Sequence, residues 1–440
     1  MTTSDPTAAF RPEHPETVFT YGAPTLKFGA GARHELGHDL SRLGASRVLV
    51  VTDPGVAATG HPAELVAGLE RAGLTAVLFD RARVEPTDAS LVEAVEFGRD
   101  AGPFDAIVAI GGGSSIDTAK AVNLLVTNPG DLMDYVNAPV GKARAPQNRL
   151  LPLVALPTTT GTGSESTTIC VLDVVSQHVK TGISHAALRP TAAIVDPELT
   201  VSQPAAVTAA SGLDILCHAL ESYTARPYTS YEHKQADERV PYCGANPIAD
   251  LWSERALSLM AGSFRTAVRD GDDLAARTQV AMAATFAGLG FGNAGVHIPH
   301  ANAYPVAGQV RDFRPEGYGP DGGPADHAMV PHGMAVSLTA PAAFRFTFAA
   351  SPERHVRAAE LLAPDAVRPD DPADFLPQVL TAVMRDVGIP AGLGAVGFGA
   401  DDVDGLVEGT MKQQRLLATA PREVTEDDVA TILTDSLELW

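Results

Sequence analysis

The sequence predicts an α/β domain followed by an all-α domain, with the change close to residue 204. From about residue 18 to 204, short β-branched runs alternate with helical patterns, which is typical of βαβ units around a parallel sheet. After Pro204 the β-like runs end, and alanine- and leucine-rich helical patterns continue to the C-terminus. We therefore expect a flexible lead at 1–17, an α/β domain at 18–204 and a helical domain at 205–440.

The α/β domain is predicted from apolar runs that have the length of buried strands. The helix-like patterns HPAELVAGLERAG and DASLVEAVEFGRDAG lie between the first three runs. Because parallel strands need a long crossover, usually a helix, this order indicates parallel pairing. The predicted strands are 46–53, 75–80, the beginning of 104–120, 151–159 and 192–199.

The helical domain is predicted from long runs with helical periodicity, several of them rich enough in alanine to be buried. Two polar stretches that contain proline and glycine interrupt them, at 226–247 and 311–326, and their composition indicates surface loops. The predicted helices are 205–224, 247–270, 272–291 and 332–348.

Composition and charge exclude several classes of protein. Of 440 residues, 45% are hydrophobic and 19% are charged, as in ordinary globular enzymes. The 53 acidic and 32 basic residues give a formal charge of −21, so we expect neither nucleic acid nor a membrane as a partner. Three cysteines without a CxxC pair, and an N-terminus without an apolar signal region, predict a reducing compartment. We therefore expect a cytoplasmic protein.

A glycine-rich turn, IGGGSSID, follows one of the buried strands and opens a helix. Its glycines, Gly111, Gly112 and Gly113, let the backbone approach a ligand closely, and the helix start offers free N–H groups to a phosphate. The spacing is neither GxGxxG nor a Walker loop, so a turn that only packs the helix on the sheet is the alternative. In that interpretation Ser114 and Ser115 merely cap the helix.

A second turn, PTTTGTGSE at 157–165, also follows a predicted strand. Its dense hydroxyl groups suit a ribose, a phosphate or a nicotinamide amide at the open end of a sheet. Asp53 ends an earlier strand, where a carboxylate can bond adenosine ribose hydroxyls and would repel a 2′-phosphate. This favours NAD over NADP, and a helix N-cap role is the alternative for Asp53.

A candidate metal site is formed by one carboxylate and three imidazoles, in the segments SGLDILCHALESY, GNAGVHIPHANAYP and VPHGM. Asp214 and His218 are four residues apart in a helical pattern, so their side chains share one helix face. With His300 and His332 they make a ligand set suited to iron(II) or zinc that leaves room for a substrate oxygen. Each histidine alone is more typical of an ordinary polar residue than of a ligand.

Taken in order, GGGSSID, PTTTGTGSE, GLDILCHALESY, GNAGVHIPHANAYP and VPHGM resemble the iron-containing (group III) alcohol dehydrogenases. The resemblance runs from about residue 18 to the C-terminus. The segments RVEPTDAS, FAGLGFGNAGVH, GANPIADLW and GTMKQQR make the chain most similar to the hydroxyacid–oxoacid transhydrogenase branch. The family implies an NAD-binding α/β domain and a helical metal-binding domain, in a dehydroquinate-synthase-like architecture.

The resemblance also implies cofactors and their residues: NAD, and Fe²⁺ with Zn²⁺ as the alternative metal. Asp214, His218, His300 and His332 would be catalytic through the metal. His297, three residues before His300, is another candidate, but the motif match makes His300 the ligand and gives His297 a supporting role. The residues implied to line NAD are Asp53, Gly111, Gly112, Gly113, Ser114, Asp117, Thr158, Thr159, Thr162 and Lys180.

The implied activity is hydride transfer between NAD and a short hydroxy acid, oxo acid or aldehyde. Tyr304 stands where many members of the family carry a second histidine, and the transhydrogenase branch shares this tyrosine with the chain. A general NAD-dependent alcohol dehydrogenase or aldehyde reductase is the alternative, and a dehydroquinate-synthase-like lyase is a third hypothesis. A substrate carboxylate needs a cation, for which the candidates are Arg415, Lys412, Arg311 and Arg314. The resemblance also implies a homo-oligomer, a dimer or larger.

Overall fold

The computed structural model describes residues 10–177, 179–319 and 323–440, and these residues form two compact units. The α/β unit spans Ala23–Gln203. The helical unit contains Pro204–Trp440 together with the described residues up to Gly22. The lead predicted at 1–17 lies partly outside the described residues. Within its described part, the buried Glu16 carboxylate accepts a hydrogen bond from the backbone N–H of Lys234, which ties this segment to the helical unit.

The α/β unit is built on a parallel sheet of six strands in the order β1-β8-β5-β4-β2-β3. A separate antiparallel hairpin consists of β6 and β7. The strands of the described residues are β1 (Thr25–Phe28), β2 (Arg47–Val51), β3 (Thr75–Phe79), β4 (Ala106–Gly111), β5 (Leu153–Pro157), β6 (Ile169–Val174), β7 (Val179–Ser184) and β8 (Ala192–Val195).

Helices cover both faces of this sheet, because successive side chains of each strand point to opposite sides. In β2, Leu49 and Val51 belong to one buried cluster, whereas Val48 and Val50 belong to another. The helices of this unit are α1 (Leu36–Arg42), α2 (Pro54–Ala58), α3 (His61–Arg71), α4 (Asp88–Ala101), α5 (Gly113–Thr127) and α6 (Leu132–Tyr135).

The strand order reverses between β2 and β4, since β3 lies outside β2 while β5 lies on the far side of β4. Such a reversal opens a crevice at the carboxyl ends of the strands, where ligands bind in open α/β sheets. Asp53 follows β2 and the glycine turn follows β4, so both lie at this edge. The threonine-rich turn after β5 lies beside them.

The helical unit is organised around α7, whose residues from Gly212 to Thr224 are all buried. Side-chain caps start the two long helices that pack on it: Asn246 accepts a hydrogen bond from Ala249 N, and Asp273 accepts one from Ala276 N. The helices of this unit are α7 (Ala205–Thr224), α8 (Pro247–Arg269), α9 (Leu274–Ala294), α10 (Ile298–Gln309), α11 (His332–Ser337), α12 (Ala340–Thr347), α13 (Pro352–Leu362), α14 (Phe375–Asp386), α15 (Val403–Met411), α16 (Gln414–Leu417) and α17 (Glu426–Asp435).

The predicted fold class, an α/β domain followed by an all-α domain, is confirmed. The prediction of one helix at 332–348 is wrong, because α11 ends at Ser337 and α12 begins at Ala340, with Pro341 in its first turn. The β6–β7 hairpin was not predicted. The loop expected at 311–326 lies partly outside the described residues. Within the described ranges, no helix is long and apolar enough to cross a membrane.

Candidate active site

Three histidine side chains converge on one carboxylate oxygen in the helical unit. Asp214 Oδ1 lies 3.7 Å from His218 Nε2, 3.5 Å from His300 Nε2 and 3.9 Å from His332 Nε2. Ligand atoms of Asp214, His218 and His300 all lie within 4.8 Å of one another. The structure therefore brings together the four residues that the sequence singled out, with His332 at the rim, where 29% of its side chain is exposed.

Each of these four side chains is placed by the helix that carries it. Asp214 and His218 are one turn apart on α7, as the spacing predicted. His300 lies in the first turn of α10, and His332 is the first residue of α11. Gly333 allows α11 to reach α7, because a β-carbon there would lie 2.8 Å from Asp214 Cβ. Sequence reasoning missed this glycine, although it stands in the quoted VPHGM motif.

The cluster has the properties of a metal site. Asp214 Oδ1 and His300 Nε2 are buried and form no hydrogen bond, and buried polar atoms of this kind are rare without a partner. His218 stacks on Phe291 with ring centroids 3.8 Å apart, which fixes the plane of its imidazole. One carboxylate and several imidazoles fit iron(II) or zinc.

Glu221 supports this cluster from one turn below His218, and sequence reasoning missed it. It is fully buried, and its Oε2 lies 2.5 Å from His300 Nδ1. Its Oε1 accepts hydrogen bonds from the backbone N–H groups of His297 and His300. Burial lowers the pKa of His300, but the Glu221 and Asp214 carboxylates outweigh it and raise that pKa to about 9. A carboxylate on the far nitrogen turns Nε2 toward a metal, as in carboxylate–histidine–metal arrangements.

His297 faces away from the ligand cluster. Its Nε2 lies 3.1 Å from Thr224 Oγ1, and its ring packs edge-on against Phe344. Burial lowers the pKa of His297 to about 4, so it is neutral near pH 7. This placement agrees with the expectation that His297 does not bind the metal directly. The assignment of His300 as the ligand stays a prediction.

In the α/β unit, the glycine turn and the threonine turn pack directly against each other. A β-carbon at Gly113 would lie 2.7 Å from Thr162 Oγ1, and one at Gly112 would lie 3.1 Å from Thr159 Oγ1. Gly111 has φ +157°, and a β-carbon there would lie 2.6 Å from Ser115 Cβ. The glycines thus let the threonine turn pack closely against the start of α5, whose N–H groups are the expected binding site of a pyrophosphate.

Asp53 serves as the N-cap that the alternative interpretation expected. Its Oδ1 accepts from Val56 N at the start of α2, and its Oδ2 accepts from Ser115 Oγ at 2.8 Å. These bonds occupy one acceptor position on each oxygen, and a carboxylate has further positions. Contact of Asp53 with a ribose therefore stays a prediction.

Asp117 has protein partners that its motif did not reveal. It is buried, its Oδ2 accepts from Val171 N in β6, and its Oδ1 lies 3.3 Å from Lys120 Nζ. The Lys120 ammonium also donates to Ile169 O at 2.6 Å. Asp117 thus joins α5 to the β6–β7 hairpin, and its predicted contact with NAD remains untested.

Lys180 lies on β7 and forms an ion pair with Glu85, which precedes α4. The backbone N–H of Glu85 donates to Ser114 Oγ at 3.1 Å. Two residues predicted to contact NAD are therefore joined through Glu85. Thr158, buried at the end of β5, donates its N–H to Gly111 O and completes the contact between the two turns.

The predicted substrate residues lie on two neighbouring helices of the helical unit. Tyr304 follows His300 by one turn on α10 and is buried. Arg415 lies exposed on α16, with its guanidinium carbon 5.4 Å from the ring centroid of Tyr242. After α16, Thr419 donates to the carbonyl of Val296 just before α10, which anchors this segment near the ligand helix.

Comparison with known proteins identifies the family. Residues 23–197 match the description "Iron-containing alcohol dehydrogenase", and residues 208–311 and 326–437 match "Fe-containing alcohol dehydrogenase family, C-terminal". The hydroxyacid-oxoacid transhydrogenase, mitochondrial, of Bos taurus is 42% identical over 428 residues, which cover 96% of this chain and 91% of that protein.

Solved structures agree in fold. A 1,3-propanediol oxidoreductase is 30% identical with a TM-score of 0.82, over 96% of this chain and 100% of that chain. Sulfoacetaldehyde reductase from Bifidobacterium kashiwanohense, in complex with NAD⁺, is 25% identical with a TM-score of 0.77, over 95% and 98%. With the iron named in the family description, these matches confirm NAD and iron as the cofactors of this group of proteins.

The relatives contradict the cytoplasmic location expected from the sequence, since the names of those from Bos taurus and Homo sapiens place them in the mitochondrion. Sparse cysteines do not distinguish one reducing compartment from another, so they did not support the cytoplasm in particular. The matches to both halves of the chain, and the identity over nearly its whole length, lead to one conclusion. The chain belongs to the iron-containing alcohol dehydrogenase family.

Proposed function

We propose that this protein transfers hydride between NAD and a short hydroxy acid or its oxo acid, as a hydroxyacid–oxoacid transhydrogenase. The observation that carries the proposal is the convergence of three imidazole Nε2 atoms on Asp214 Oδ1. Such a cluster serves a reaction at an oxygen atom next to the carbon that gives or accepts hydride. The 42% identity to a transhydrogenase supports the branch.

A metal ion, when bound, supplies a Lewis acid that polarises the oxygen of the alcohol or carbonyl group. Asp214, His218, His300 and His332 would hold that ion. Glu221 holds the Nδ1 proton of His300, so the proton that His300 would give up on binding the ion is the one on Nε2. In the forward direction the hydroxy acid loses a hydride from carbon to nicotinamide C4 and a proton from oxygen to solvent, and becomes the oxo acid.

The dinucleotide would be bound by the two turns of the α/β unit. Backbone N–H groups of Gly112 and Gly113 at the start of α5 suit its pyrophosphate, and the helix dipole adds a favourable field. Thr158, Thr159 and Thr162 offer hydroxyl groups within the same pair of turns. The nearby Asp53 carboxylate disfavours an additional phosphate on the adenosine ribose, which supports NAD over NADP.

Arg415 is the candidate that best suits a substrate carboxylate. The other three cations already have partners: Lys412 with Glu408, Arg311 with Asp402, and Arg314 with the carbonyl of Ala325. Arg415, among the described residues, forms no ion pair with an acid. Its guanidinium is therefore available to bind a carboxylate through two parallel hydrogen bonds.

The test of the function is turnover without added cofactor. Purified protein is supplied with a hydroxy acid of the 4-hydroxybutyrate type and with 2-oxoglutarate, and formation of both products is followed. In a transhydrogenase, one substrate reduces the bound NAD and the other reoxidises it, so many turnovers occur per chain. A requirement for stoichiometric external NAD would instead identify the alternative, a general NAD-dependent alcohol dehydrogenase or aldehyde reductase, which Tyr304 in place of a histidine disfavours.

The test of the substrate class uses Arg415→Gln. We expect the KM for hydroxy acids to rise about tenfold or more, since a charge-assisted pair is lost, while the KM for a plain alcohol of equal length stays the same. Lys412→Gln, three residues earlier and already paired with Glu408, is the matched control. Equal effects of both variants on both substrates would remove Arg415 from the proposal.

Two further expectations accompany this function. Iron rather than zinc is proposed as the metal, and metal analysis of protein purified without oxygen distinguishes them, because the ligand set accepts either ion. A homo-oligomer, dimer or larger, is proposed from the family resemblance, and light scattering of the eluting protein measures its mass.

A further inference from the structure

We infer that Glu85 is a positioning residue of the dinucleotide site, which holds Lys180 through its carboxylate and Ser114 through its backbone N–H. The inference rests on the proposed function, because it takes Lys180 and Ser114 to contact NAD. Nothing in the glycine or threonine turns points to Glu85, which lies 25 or more positions earlier in the chain.

The first contact is electrostatic. Lys180 Nζ forms an ion pair with Glu85 Oε2, and only 7% of the lysine side chain is exposed. The strand register places Asp173 of β6 opposite Lys180, so both side chains share a face of the hairpin. The ion pair of Lys180 nonetheless goes to Glu85, which directs the ammonium away from the hairpin and toward the turn that precedes α4.

The second contact is made by the backbone. Glu85 N donates to Ser114 Oγ, the side chain that follows the glycine turn. The next residue, Pro86, accepts a hydrogen bond from Asp173 N at 2.8 Å, so the segment also runs along β6. Glu85 therefore lies where the glycine turn, the hairpin and the start of α4 meet.

The backbone conformation of Glu85 indicates that the carboxylate is what this position requires. Its φ is +57°, in the left-handed region that glycine, asparagine and aspartate adopt more readily. A glycine would keep the N–H bond to Ser114 and would relieve this conformation, yet the chain carries glutamate. Unfavourable backbone conformations of this kind cluster at functional sites, where the side chain has a task.

The role that we assign to Glu85 is to keep the Lys180 side chain protonated and to fix its orientation. Burial by itself lowers the pKa of Lys180 to about 8, so the ammonium form depends on a neighbouring carboxylate. The acids that face it are Glu85, from the segment before α4, and Asp173, on β6. An adjacent carboxylate favours the ammonium form, which donates hydrogen bonds to ribose hydroxyls.

The experiment compares Glu85→Gly, Glu85→Gln and Glu85→Asp with the wild-type chain, each stripped of cofactor and titrated with NAD. Glu85→Gly removes the carboxylate and relieves the backbone, so we expect the Kd for NAD to rise about tenfold while the Tm without NAD is unchanged or higher. Glu85→Asp keeps a carboxylate in a left-handed conformation and should recover part of the affinity. Glu93→Gln, which removes an exposed acid paired with Arg81, is the control and should leave the Kd unchanged.

The pH profile gives a readout that a purely structural role would not move. Wild-type NAD binding should weaken as the pH rises and Lys180 loses its proton, and this midpoint should move to lower pH in Glu85→Gln, which removes the carboxylate that favours the ammonium form. If Glu85→Gly does not fold, Glu85→Gln keeps the test, because it leaves the backbone unchanged.

Wild-type affinity within twofold in both Glu85→Gly and Glu85→Gln would overturn the inference. So would an affinity loss that Glu85→Asp shares in full, or one that appears only with a fall in Tm. Failure of the proposed function is a separate result: the wild-type chain itself would bind no NAD, and the inference would fall with it.

Discussion

The ligand cluster of the helical unit and the dinucleotide turns of the α/β unit are built on opposite principles. The cluster is made of large charged or ionisable side chains from three helices, converging on Asp214 and held by the buried Glu221. The turns are made of backbone and small residues, and at Gly111 and Gly113 a single β-carbon would collide with a neighbouring side chain. We therefore expect function to depend on particular side chains in the cluster, and on the lack of a side chain at the glycines of the turns.

This difference determines how each region responds to mutation. In the cluster, removing a side chain removes a ligand or leaves a buried charge without a partner, which is costly in a low-dielectric interior. In the turns, removing a hydroxyl leaves the packing of the two turns largely intact, whereas adding a methyl group to a glycine would force them apart. Deletions should therefore act most strongly in the helical unit, and additions in the α/β unit.

The largest expected effect comes from His300→Ala. It removes one of the ligand atoms around Asp214 Oδ1, so we expect iron content per chain to fall by more than the 10- to 100-fold typical of losing an outer partner, with activity falling in parallel. Metal analysis after dialysis measures it. The matched control is His297→Ala, three residues earlier and fully buried, which should keep its metal because its ring faces Thr224.

The reverse pattern, metal lost in His297→Ala and kept in His300→Ala, would show that the ligand is misassigned. We expect both His297→Ala and His300→Ala to be less stable than the wild type, and this loss does not identify the ligand. Metal content is therefore compared only in folded protein that elutes at the same volume as the wild type.

The second effect concerns Glu221→Gln, which keeps the shape of the side chain and removes its charge. The amide can still accept from the two backbone N–H groups, but its NH₂ group would face His300 Nδ1 and favour the imidazole form with a proton on Nε2. That form cannot bind a metal, so we expect metal affinity to fall about 10- to 100-fold. A competition titration with a chelator measures it. The control is Glu254→Gln, which removes the charge of a partly exposed carboxylate that accepts from Tyr223 and should leave metal affinity unchanged.

The third effect tests the other side of the comparison. Gly113→Ala would place a methyl group 2.7 Å from Thr162, so we expect NAD affinity to fall about tenfold or more, at unchanged metal content. Fluorescence titration with NADH measures the affinity. Gly262→Ala in α8 is the control, since nothing lies within 4 Å of its added carbon, and it should raise stability by about 0.5–1 kcal/mol. Normal NADH binding by Gly113→Ala would refute the proposed role of this turn in binding the dinucleotide.

The smallest effect is expected for Asp53→Ala. The variant loses the cap of α2 and the bond to Ser115, so we expect a loss of about 1 kcal/mol of stability, measured by urea unfolding. If Asp53 also contacts the ribose, NAD affinity falls and the discrimination against NADP weakens. A change in stability with both affinities unchanged would leave the capping role alone.

The sequence by itself determined the fold class and the family. Strand and helix periods are local properties, and they were read correctly in 46–53, 75–80 and 205–224. The one-turn spacing of Asp214 and His218 likewise fixed their common face before any packing was known.

Only the tertiary structure decided which residues support those that the motifs named. Glu221, Gly333 and Glu85 act through neighbours 79, 119 and 95 positions away in the chain, and a sequence pattern carries no distance between such positions. Gly333 is required because α11 crosses α7 closely, and we propose that Glu85 is required because its carboxylate holds Lys180. Residue types alone predict the chemistry of the proposed ligands, whereas the orientation of those side chains depends on contacts that exist only once the helices and strands have packed.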